Sequence, residues 1–84
     1  MNTEQWIAFA ESGNQQRLRS QAGQTLQGWI MEITDDQLLI STGDGERGIE
    51  TWLNLTDIAL DSLQFFDTKT RQWHRFGADS IEPL

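Results

Sequence analysis

Apolar and polar residues exchange places along this chain with two different periods. The opening segment carries Trp6, Ile7, Phe9 and Ala10 at helical spacing, after Thr3 as a candidate N-cap and before Gly13 as a suitable exit. This predicts a helix over 3–12 whose broad apolar face lies across a neighbouring sheet. Residues 13–23 are polar, carry Arg17 and Arg19, and read as a connector or a frayed strand. From there to Phe76 the period is that of strands.

The strand over 25–33 places Leu26 and Ile30 in one phase and Trp29, Met31 and Ile33 in the other. A strand apolar on both faces fits a small bent sheet in which residues pass from core to outer cover, and Gly28 is the expected bend. A short apolar strand follows over 37–42, then a loop with glycines at 43, 45 and 48, as turns with positive φ require. The strand over 49–55 alternates cleanly, with Ile49, Thr51, Leu53 and Leu55 inward and Glu50, Trp52 and Asn54 outward. Further strands are expected over 58–66 and 71–76, joined by a turn at 67–70. The tail 77–84 contains the single proline, Pro83, and reads as loose. Together these elements predict one mainly β domain over 1–84, with an N-terminal α-helix and a small five-stranded bent β-barrel over 17–76.

Composition narrows what such an object does. With 84 residues and no cysteine, the chain has a thin stability margin and neither disulfides nor a thiolate zinc site to reinforce it. No basic region followed by an apolar run marks a signal peptide, and no apolar run approaches the ~20 residues that span a bilayer. A cytoplasmic, non-membrane protein is the expectation. Six basic residues against thirteen acidic ones leave a formal charge of −7, which argues against general affinity for nucleic acid or anionic membranes.

The segment Leu26-Gln27-Gly28-x-Ile30, followed by Ile33, Leu38, Leu39 and Ile40 and then Trp52-Leu53-x-Leu55-x-Asp57-Ile58, resembles the bacterial Hfq branch of the Sm-like family. The resemblance covers about 17–66 and implies an Sm-like or, more broadly, SH3-like barrel. It also implies subunits that adjoin through their strands, and RNA as the ligand. The residues that would read RNA are altered. The family's turn aspartate falls at Thr34, its uridine-contacting asparagine falls near Leu38, and its Lys-His pair falls on Leu55 and Thr56. The scaffold's pattern is present without its usual reading residues, and fold does not carry function by itself.

No catalytic set can be assembled from the remaining residues. His74 is the only histidine, no Gly-x-Ser-x-Gly elbow exists, and neither a cofactor nor a metal is expected. The carboxylates Asp35/Asp36 and Asp44/Glu46/Glu50 lie at turns without the spacing of a calcium loop. Gly43-x-Gly45-x-x-Gly48 matches a phosphate-loop pattern in letters alone, since it joins two strands and opens no helix.

Tryptophan is abundant, and a small barrel cannot hide Trp6, Trp29, Trp52 and Trp73 together. Trp52 either lies under the helix against Trp6 or belongs to an interface. The expected function is a non-catalytic module binding a protein partner or itself through Trp52, Trp29 and Trp73. The alternative is an RNA-binding protein using Arg17, Arg19, Lys69, Arg71 and Arg75, of which Arg71, Trp73 and Arg75 share one face of the last strand.

Overall fold

The computed structural model describes residues 1–43 and 48–77. Residues 44–47 of the glycine-rich loop, with Asp44 and Glu46, and residues 78–84 of the tail lie outside the described residues.

The first element, α1 (Thr3–Ala10), is capped by Asn2 rather than Thr3. Asn2 is extended, its side chain accepts the Gln5 amide at 2.8 Å, and the Gln5 side chain accepts the Asn2 amide at 2.9 Å. This reciprocal pair satisfies two donors that a helix start leaves orphaned. The helix ends before residue 12, and Gly13 leaves it at φ 59°, where a Cβ would overlap the Phe66 carbonyl. Eight residues are too few to hold a helix in isolation, so α1 depends on the burial of Trp6 and Phe9. Ile7, assigned to the same face by its spacing, is exposed.

Six antiparallel strands follow rather than five: β1 (Gln16–Arg19), β2 (Thr25–Ile33), β3 (Gln37–Thr42), β4 (Ile49–Asn54), β5 (Gln64–Asp67) and β6 (Gln72–Arg75). They form one sheet in the order β4-β3-β2-β1-β5-β6. The additional strand is β1, in the polar stretch that reads as a connector. It pairs with β2 on one side and β5 on the other, burying Leu18 and Gln16 while Arg17 and Arg19 face outward. Closure into a barrel would need a ladder between β4 and β6, and none forms among the described residues.

Gly28 is where β2 exchanges one neighbouring strand for the other. It is opposite Gln16 of β1 and Thr42 of β3, so β2 leaves one neighbour and takes up the other at this residue. A Cβ here would overlap the Ser41 carbonyl oxygen. Three residues later a bulge at Met31 shifts the β2–β3 register between Ile30 and Glu32. The extra residue returns Ile33 to the core side beside Leu26 and Ile30, correcting the phase that strict alternation assigns to it. Only Trp29 and Met31 remain as large exposed apolar residues of β2.

The strands predicted over 49–55 and 58–66 are shorter than alternation implies. Leu55 begins a 3-10 turn to Asp57, a second spans Leu60–Ser62, and the bridge Ser20–Ile58 is the only strand-like pairing between them. The Ser62 hydroxyl accepts the Arg19 amide at 2.9 Å and donates to the Ala59 carbonyl at 2.6 Å, satisfying polar backbone that a strand would have paired. Ile58, Ala59 and Leu63 can therefore all be buried although they do not share a strand phase. They join Trp6, Phe9, Leu18, Leu38 and Ile40 in one core between α1 and the inner face of the sheet. The predicted strand over 71–76 starts at Gln72 because Arg71 takes a turn conformation with φ 58°.

Candidate functional site

The outward face of β2, β3 and β4 exposes an apolar strip. One cross-strand row is Trp29–Ser41–Glu50, and the adjacent row is Glu32–Leu39–Trp52, with Met31 at the bulge beside it. Trp52 is 46% exposed and is not covered by α1, where Trp6 is buried with its ring edge toward Phe9. Its outward phase on a strand that, among the described residues, has one hydrogen-bonded neighbour explains the exposure. Ile49, at the start of the same strand, is 63% exposed. Ile49 lies in the opposite phase, in the row Gly28–Thr42–Ile49, so it is Trp52 that carries the strip onto β4.

Trp73 does not join Trp29 and Trp52. It lies on β6, at the opposite edge, half-buried against Phe66 with ring centroids 5.4 Å apart. The guanidinium carbon of Arg17 stands 4.1 Å from its ring centroid, so one aromatic face is occupied.

Of the five basic residues considered for nucleic acid, the fold brings three together. Arg17, Arg19 and Arg75 line a depression of ≈ 430 Å³ over β1, β5 and β6, with Thr25, Ser62 and Asp61 on its walls. Lys69 and Arg71 are instead in the turn between β5 and β6, where the Lys69 amide donates to the Asp67 carboxylate at 2.8 Å. Proximity of Arg17 and Arg19 to β6 was hidden from the sequence, because no periodicity announced β1.

A second, larger depression of ≈ 590 Å³ lies beside the start of α1, with Trp6, Leu55 and Ile58 on its apolar side and Asp35, Asp36 and Asn54 on its polar side. The β2–β3 turn that carries the two aspartates is closed by Thr34, whose hydroxyl accepts the Gln37 amide at 2.9 Å. Leu38 is fully buried and Leu55 packs against the core, so neither side chain is available to a ligand at the surface.

His74 is committed to its hairpin: its Nε2 lies 3.0 Å from the Thr70 hydroxyl and 3.7 Å from the Asp67 carboxylate, beside the Phe65 ring. Among the described residues, no three His, Asp or Glu side chains come together as metal ligands, and no helix is long and apolar enough to cross a membrane. Comparison with family models, curated proteins and solved structures returns no match to this chain.

Proposed function

We propose that this chain is a non-catalytic assembly module, an Sm-like scaffold that joins a second copy of itself through its sheet edges. The observation that carries this reading is β4, which among the described residues is an outermost strand with one unpaired edge, exposes Ile49 and Trp52 and contains neither lysine nor proline. Edge strands template pairing with another chain, and β4 carries a single charged residue, Glu50, which a basic partner edge can neutralise. The partner edge is β6. Lys69 and Arg71 lie in the turn that leads into β6, whereas Glu50 lies on β4 and Asp57 next to its end. Unlike edges of opposite charge fit head-to-tail, and repetition of that contact closes a ring or extends a filament.

The sharply bent β2 agrees with the Sm-like pattern, and the altered residues at Leu38, Leu55 and Thr56 agree with assembly that has no need of RNA. Multi-angle light scattering over a concentration series tests the reading. The wild-type chain should assemble beyond a monomer, and Trp52→Ala and Ile49→Lys should each shift it toward monomer while leaving its circular dichroism unchanged. A wild-type chain that stays monomeric at every concentration would falsify it.

A further inference from the structure

The depression over β1, β5 and β6 reverses the sign of the molecule. The chain holds thirteen acidic residues against six basic ones, yet among the described residues three arginines and a single carboxylate line this surface. Their placement follows from the ladders. Gln27 of β2 is opposite Arg17 of β1, Arg17 is opposite Gln64 of β5, and Gln64 is opposite Arg75 of β6. Arg19 lies two residues along β1 and so projects from the same face.

Arg17 is oriented without being neutralised. Its Nε donates to the Gln64 side-chain oxygen at 2.8 Å, its Nη1 reaches the Gln27 oxygen at 3.4 Å, and its plane covers Trp73. Amide oxygens and an aromatic face hold the fork in place and leave its positive charge intact. Neither Arg17 nor Arg75 has a carboxylate partner among the described residues. Arg19 has one, Asp61, at 3.6 Å, and that carboxylate is 77% exposed at the depression's wall.

The geometry points to a binding site for a phosphate monoester, seated among Arg17, Arg19 and Arg75 and displacing the Asp61 carboxylate from Arg19. A phosphate monoester carries about −1.5 to −2 charge at neutral pH and three acceptor oxygens, which suits a depression lined by three arginines better than a carboxylate does. A nucleic-acid strand fits less well. It needs open aromatic faces for its bases, and Arg17 already occupies a face of Trp73. The site adjoins β6, the edge proposed to receive β4 of a second copy, while Trp52 and Ile49 lie at the other end of the sheet, so the titration is made on Trp52→Ala as well as on the wild type and the two should agree.

Amide chemical-shift titration at fixed ionic strength tests the proposal, with inorganic phosphate, a phosphoserine peptide and an oligouridylate as probes. Phosphate and the phosphopeptide should both move the amides around Arg17, Arg19 and Arg75. A tighter phosphopeptide identifies a protein-borne source, and equal affinity identifies a free phosphate ester. Arg75→Gln, at an exposed position, should weaken binding about tenfold or more, the loss of one charge-assisted contact. Asp61→Asn should tighten it about threefold or more by releasing Arg19, whereas Asp35→Asn, the same change of net charge at the other depression, should leave it unaltered. The proposal is overturned if the two aspartate variants act alike, if the shifts fall elsewhere, or if the oligouridylate binds more tightly than both monoesters.

Discussion

Gly28 and Gln16 are opposite one another in the β1–β2 ladder, and both serve the same bend. A side chain at Gly28 would meet the Ser41 carbonyl of the adjoining strand, so Gly28→Ala should destabilise the fold by about 3 kcal/mol, read as a lower urea midpoint. Gln16 is 3% exposed, and its amide spans the gap that opens where β2 leaves β1. Its Nε2 donates to the Ser12 carbonyl and its Oε1 accepts the Ile30 amide at 3.3 Å, two residues beyond Gly28, the last β2 residue paired with β1. Gln16→Leu keeps the volume but orphans both backbone groups, at a cost of about 1–3 kcal/mol in the same denaturation experiment. Glycine within an apolar strand announces a bend in the sequence alone. A glutamine in a polar stretch looks solvated, and only the surrounding strands reveal that it is buried.

At the scale of elements, α1 contributes Trp6 and Phe9 to the core and receives its stability from that contact. Phe9→Ala should cost about 3–5 kcal/mol, a large share of the stability available to so small a domain, and thermal unfolding should show a drop well beyond 10 °C. Asn2→Ala removes only the cap and should lower stability by about 1 kcal/mol. The helix was legible from the spacing of its aromatic residues, but its cap was misplaced by one residue because asparagine and threonine both serve that role. Alternation located β2, β3 and β4, yet missed the bulge at Met31, whose signature is a change of phase with no composition of its own. The stretch from Leu55 to Leu63 is rich in apolar residues and resembles a strand. It curls into two 3-10 turns because Asp36, Arg19 and the Ser62 side chain supply partners for its backbone.

For the molecule as a whole, the relevant quantity is how charge is distributed rather than its sum. A net charge of −7 opposes self-association unless unlike regions meet. If β4 and β6 join head-to-tail, attraction between their charged surroundings should weaken with screening, while contacts of Ile49 and Trp52 should persist. Light scattering across a chloride series should therefore show a modest loss of assembly in the wild type and a much larger one in Trp52→Ala. The candidate interface was partly legible, since Trp52 stands out of phase with its strand's apolar residues. Its separation from Trp73 was not, because strand order is invisible to local pattern.

The sequence by itself determined the mainly β character, the N-terminal helix, the need for glycine at position 28 and the outward phase of Trp52. Each is a local property, set by side-chain period, by glycine's missing Cβ or by residues a few positions apart. Tertiary structure decided the sheet order, the admission of β1 between β2 and β5, the burial of Gln16 and the gathering of Arg17, Arg19 and Arg75. Those depend on which strand's unpaired amides and carbonyls find which partner across tens of residues, and such long-range pairing leaves no period in the chain.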